Sequence, residues 1–115
     1  MDKLEDKLEK YQHYIENLIK EYSQYKPSYG DVELQVLIDR ENHHYQLMTV
    51  GWNGEKRIHG IMLHFDIKDG KIWIQHNGTE RSITQDLLAL GVPKHDIVLA
   101  FHSPTRRKYT DFAVS

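Results

Sequence analysis

Cysteine is absent from this chain, which excludes disulfide staples, thiolate metal ligands and cysteine nucleophiles and leaves stability to packing alone. Long apolar runs are absent too. No stretch approaches the roughly 18 apolar residues of a membrane span, and the N-terminal MDKLEDKLEK is charged throughout with no apolar signal core, so a soluble, cytoplasmic protein is expected. Nor is there an excess of positive charge. Fifteen Lys and Arg stand against seventeen Asp and Glu, a formal net charge of -2, so no global field draws in a phosphate backbone and any DNA contact has to be local. A Gly-rich phosphate loop, a G-x-S-x-G elbow, internal repeats and low-complexity linkers are likewise missing.

What is present is a globular balance, with 39% hydrophobic and 28% charged residues in 115. That length fits one domain, residues 1–115, built around one core.

The first apolar residues, Leu4, Leu8, Tyr11, Ile15, Leu18, Ile19 and Tyr22, follow the three-and-four spacing of one helical face. Lys, Glu and Asp fill the other positions, which predicts an amphipathic helix from Asp2 to about Gln24, docked on a core. Pro27 and Gly30 in YKPSYGD end it.

From Val32 the period changes to two. Val32, Leu34, Val36 and Ile38 alternate with Glu33, Gln35, Leu37 and Asp39, the pattern of a half-buried strand. DRENHH then reads as a polar turn and YQLMTVGW as a second strand. Asn53-Gly54 and Asp69-Gly70 are hairpin signals that bracket a third strand, RIHGIMLHFDIK, with KIWIQHN as the fourth.

A two-residue turn at Asp69-Gly70 sets Ile67 opposite Ile72, Phe65 opposite Ile74 and Leu63 opposite His76 on an apolar face. Asp66 with Trp73 and His64 with Gln75 occupy the other face. For the first hairpin, a two-residue loop pairs Gln46 with Ile61, whereas a three-residue loop with a bulge pairs Leu47 with Ile61; that register is open.

A short helix follows, with Ser82 as N-cap, Gln85 as capping-box partner, and Ile83, Leu87, Leu88 and Leu90 as its buried stripe. Gly91 and Pro93 stop it, and Ile97 to Phe101 reads as a short buried strand. The fold class is α+β: an antiparallel sheet of four or five strands, with the long and the short helix packed on one of its faces.

Eight histidines invite a metal reading, but their placement argues against one. His43 and His44 sit in the polar turn, His59 and His64 fall on opposite faces of their strand, and no H-x-H or H-x-x-x-H pair occurs. Neither a metal nor a cofactor is expected. The one polar constellation is His64, Asp66, Trp73 and Gln75, a candidate sheet-face pocket or interface. DIKDGK resembles a nuclease cluster only superficially, because the hairpin turn accounts for Asp66 and Asp69, while Glu80 and Asp111 stand alone. No feature demands an enzyme. Arg106, Arg107 and Lys108 with Tyr109 form the candidate partner or DNA contact, in a terminal segment that Phe101, Tyr109, Phe112 and Val114 should dock on the fold.

The segments YKPSYGDVELQVLID, HYQLMTVGWNGEKRIHG, LHFDIKDGKIWIQHNGTE, LGVPKHDIVLAFHSP and YTDFAVS together resemble the XisI family of fdxN element excision controlling factors of cyanobacteria. The resemblance runs from about Tyr11 to Ser115 and is carried by Gly51-Trp52, by Lys71-Ile72-Trp73-Ile74 and by Gly91-Val92-Pro93. It implies a single XisI-like domain and a non-enzymatic role in programmed DNA rearrangement during heterocyst differentiation. There a site-specific serine recombinase, XisF, cuts and rejoins the DNA while XisI and XisH act as its controlling accessories. The family supplies no catalytic residue to carry over. A protein partner of the XisH type is the expected ligand. A direct DNA-binding accessory is the alternative, and a nuclease-associated subunit a remoter one. The exposed side of the sheet, with Trp73 and Met62 on it, suggests a homo-oligomer face, unless a further layer of chain covers it.

Overall fold

The computed structural model describes residues 3–25 and 30–115, with the side chains of the first helix from Asp6 onward. Leu4 as a core residue and the turn at Pro27 therefore lie outside the described residues. In chain order the elements are α1 (Lys3–Ser23), β1 (Asp31–Asp39), β2 (His44–Asn53), β3 (Lys56–Lys68), β4 (Lys71–Asn77), α2 (Ile83–Ala89), a 3-10 turn (Lys94–Asp96), β5 (Ile97–Leu99) and α3 (Pro104–Arg107). No helix among the described residues is long and apolar enough to cross a membrane.

The five strands form one sheet in sequential order, β1-β2-β3-β4-β5. The first four are antiparallel, but β5 runs parallel to β4, pairing Ile72 with Ile97 and Ile74 with Leu99. The sheet is thus mixed rather than antiparallel throughout. The reason is the connection: a parallel neighbour needs a crossover of a dozen or more residues, and α2 with the 3-10 turn supplies it.

One sheet face carries the core. Tyr45, Leu47, Leu63, Phe65, Ile72 and Ile74 pack against Tyr11, Ile15, Leu18, Ile19 and Tyr22 of α1 and Ile83 and Leu87 of α2. Each fully buried aliphatic side chain contributes about 1.5–3 kcal/mol, so this stripe is what docks the helices. Ser82 caps α2 by accepting from the Gln85 backbone N–H at 3.3 Å. Leu90, expected in the stripe, is instead 42% exposed, because the helix ends at Ala89 and Leu90 is already its cap.

Two buried charges fasten α1. Asp96 accepts from the Tyr11 hydroxyl at 2.5 Å and pairs with Lys7 at 2.8 Å, tying the 3-10 turn to the helix. Burial pushes the Asp96 carboxyl up, yet the bonds from Lys7 and Tyr11 and the Lys7 charge outweigh it and hold it below the usual value. Glu16 takes two bonds from Arg40, at 2.8 and 3.0 Å, which anchors the β1–β2 turn.

The hairpins follow turn chemistry, with two corrections of register. Asp69 and Gly70 both have positive φ, 54° and 72°, and Ile67, Asp66 and Phe65 pair with Ile72, Trp73 and Ile74 as expected. Beyond Phe65, however, Gln75 bulges out, so His64 faces His76 and Leu63 faces Asn77. In the other hairpin Asn53 is the last residue of β2, paired with Lys56, and the loop is Gly54-Glu55, with only Gly54 at positive φ (63°). Met48 then pairs with Ile61, and a bulge at Met62 sets Leu47 opposite Leu63. Met62 consequently packs on the helix side, not on the exposed side.

Candidate functional site

The side of the sheet away from the helices carries a polar knot. His44 opens β2 directly opposite Asp66 of β3, and its Nδ1 lies 2.7 Å from Asp66 Oδ1. His64, two residues before Asp66 and so on the same face, brings Nε2 to 3.0 Å from the same oxygen. The Gln75 amide donates to the other oxygen, Oδ2, at 3.1 Å. Hydrogen bonding to Asp66, aided by the charges of Asp66 and Asp39, raises the His44 pKa above the ordinary imidazole value. Asp39, the cross-strand partner of His44, is itself held low by bonds from the Asn42 side chain and backbone N–H, at 2.9 and 3.0 Å.

The structure therefore brings three of the four sequence-selected residues, His64, Asp66 and Gln75, into contact. Trp73 is opposite Asp66 but flanks the knot: its indole N–H donates to the Lys68 carbonyl at 3.1 Å, and Lys68 and Arg107 lie over its ring. The residue missed is His44. DRENHH reads as a turn along the sequence, and only the cross-strand register places its last residue against Asp66.

His44 Nδ1, His64 Nε2 and an Asp66 oxygen lie within 4.8 Å of one another, and this is the one group among the described residues with metal-ligand atoms so close.

The basic trio separates into unlike parts. Arg107 is half-buried and turned into the fold: Nε donates to the carbonyls of Leu99 (3.2 Å) and His102 (3.0 Å), Nη2 to Ala100 (3.3 Å) and Nη1 to Val114 (3.2 Å). Arg106, Lys108 and Tyr109 are exposed, Tyr109 at 87%. The terminal segment is docked, but through only one of the four apolar residues expected to do so. Phe101, Tyr109 and Val114 are exposed, whereas Phe112 packs on the core and Ala113 bridges to Val98 at the sheet edge.

Further along the open face, Met48 and Ile61 are cross-strand partners, with Leu37 on β1 and Trp52 toward the hairpin tip. Trp52 is 49%, Leu37 46% and Ile61 39% exposed. The Arg57 guanidinium lies 5.1 Å from the Trp52 ring centre. The open face thus carries Leu37 beside the knot, with Ile61 and then Trp52 leading away from it.

Comparison with known proteins gives this arrangement a family. The family described as XisI protein matches residues 5–114. A crystal structure of a XisI-like protein from Anabaena variabilis ATCC 29413 is 47% identical and superposes with a TM-score of 0.88 over 94% of this chain and 99% of its own. The fdxN element excision controlling factor XisI from the same organism is 38% identical, with a TM-score of 0.83 over 95% and 99%. No curated protein matches. With a family match over nearly the whole chain and two solved relatives sharing its fold, the chain belongs to the XisI family.

Proposed function

We propose that this protein is a non-catalytic accessory that controls excision of a DNA element by a site-specific recombinase, and that it acts by binding a protein partner of the XisH type. Family membership supports the first half, since a relative bears the name of an excision controlling factor. The second half rests on one observation: the open sheet face exposes Leu37 and Ile61 on either side of β2, beside a polar knot that can fix orientation, with Trp52 further along the same face. Apolar anchors with a polar border are the make-up of a protein-binding surface. The basic segment is a poorer nucleic-acid site than its composition implies, because Arg107 is engaged by four carbonyls and the net charge is -2.

Co-purification with an XisH-like protein tests the reading. The wild-type chain should hold the partner through size-exclusion chromatography, and Leu37→Asp with Ile61→Asp should abolish the complex while leaving the circular dichroism spectrum unchanged. No complex with the wild type, or one indifferent to the double change, overturns it. A tight, steeply salt-dependent shift of duplex DNA by the chain alone would favour direct DNA binding instead. A wild-type dimer that the double change dissociates would assign the face to a second copy.

A further inference from the structure

We propose that His44, His64 and Asp66 form a binding site for a divalent transition-metal ion of the zinc type on the open face of the sheet. Two imidazoles and one carboxylate are the donor set that suits zinc and its neighbours, and three protein ligands leave a coordination position open to water or to a partner's side chain. The donor atoms already converge. His44 Nδ1 and His64 Nε2 approach the same Asp66 oxygen at 2.7 and 3.0 Å, and all three groups lie within 4.8 Å. Tetrahedral bonds of about 2.0–2.2 Å place ligand atoms roughly 3.3 Å apart, so to admit an ion the two contacts to Asp66 open slightly while the ring nitrogens, at most 4.8 Å apart, draw together. Each ligating imidazole would present a bare ring nitrogen to the ion, His44 Nδ1 and His64 Nε2, and carry its proton on the other nitrogen.

Three further features are those of a built site. The ligands stand on adjacent strands, β2 and β3, whose register fixes their spacing more firmly than a loop could. Gln75 holds Asp66 Oδ2 at 3.1 Å and so leaves Oδ1 directed at the imidazoles, the role of an outer-shell donor. Asp39, across the strand pair from His44, adds a second negative charge beside the knot. Entry is unobstructed, since the His44 side chain is 54% exposed.

A direct test uses the full chain, without a polyhistidine tag and freed of metal by a chelator, titrated with zinc by calorimetry and with cobalt(II) by visible absorption. One equivalent should bind saturably and raise the melting temperature. His64→Ala and Asp66→Asn should each lose the one-to-one phase, and Gln75→Leu should weaken it about tenfold. His59→Ala, on β3 with His64 and Asp66, and His76→Ala, on β4, should leave it unchanged. Absence of a saturable phase, or a phase that survives His64→Ala and Asp66→Asn, overturns the site. Should those variants fail to fold, ring nitrogen resonances of the wild-type chain decide: zinc must shift those of His44 and His64, and a shift confined to other histidines refutes the proposal.

Discussion

Replacing Arg107 should unfasten the C-terminal segment, and the size of the effect follows from its contacts. Alanine removes three half-buried bonds, Nε to Leu99 and His102 and Nη2 to Ala100, together with the exposed bond to Val114 and the contact over the Trp73 ring at 5.6 Å. A charged donor on a fully buried acceptor contributes about 1.5–3 kcal/mol, but water recovers part of that here, so about 1 kcal/mol per half-buried bond is the apt figure. The exposed bond adds nothing measurable, and the ring contact adds about 0.5 kcal/mol. Freeing the arginine returns about 1.5 kcal/mol of rotamer entropy. The net loss is about 2 kcal/mol, which for a domain of this size lowers the melting temperature by about 8 °C.

Thermal unfolding followed by circular dichroism measures this. Arg106→Ala and Lys108→Ala, whose side chains are exposed, should stay within about 2 °C of wild type. Arg107→Lys should recover little, because a lysine keeps the charge but cannot fork across several carbonyls. The reasoning is refuted if Arg107→Ala melts with Arg106→Ala, or if Arg107→Lys melts with the wild type. The outcome also governs how DNA-binding experiments are read, since a triple alanine change of the basic segment would then lose affinity through unfolding.

Asp96 and Tyr45 give two further predictions. The Asp96 carboxyl is held below its ordinary value of 3.8, so its contribution is complete above that value and is lost as pH falls through the lower folded-state value. The melting-temperature gap between wild type and Asp96→Asn should therefore be constant above about pH 5 and shrink below about pH 4; a gap that stays level down to pH 2 contradicts the pairing with Lys7 and Tyr11. The Tyr45 hydroxyl is buried and finds no hydrogen-bond partner among the described residues, since the Gln12 amide beside it turns to His43 at 3.5 Å. Tyr45→Phe should accordingly be neutral or stabilise by up to about 1 kcal/mol in urea unfolding, and a loss greater than that would show an unseen partner.

Local patterns were sufficient for α1, for the cap at Ser82 and for the Asp69-Gly70 hairpin, because helix period, cap and turn are properties of neighbouring residues. What could not be read depends on pairing between distant segments. The direction of β5 is set by a crossover, and the role of Arg107 by where four carbonyls happen to meet. His44 is a turn residue by composition and a strand residue by register.

The two bulges carry the same point to the site itself. A strict period of two allows one side chain in two to face the core, yet at Met62-Leu63 two consecutive apolar residues turn toward the helices. At Gln75-His76 the opposite occurs, and two consecutive polar residues stand on the open face, one of them bonded to Asp66. Without the second bulge, His76 would face Leu63 on the core side and bury an imidazole in an apolar layer. The bulge thus keeps the core dry and places the Gln75 amide at Asp66. Because Gln75 is the extra residue of its bulge, deleting it should leave a regular ladder with His76 still opposite His64 and Asn77 opposite Leu63, and so, like Gln75→Leu, should cost the knot and spare the core; a large loss of melting temperature on deletion would refute this register.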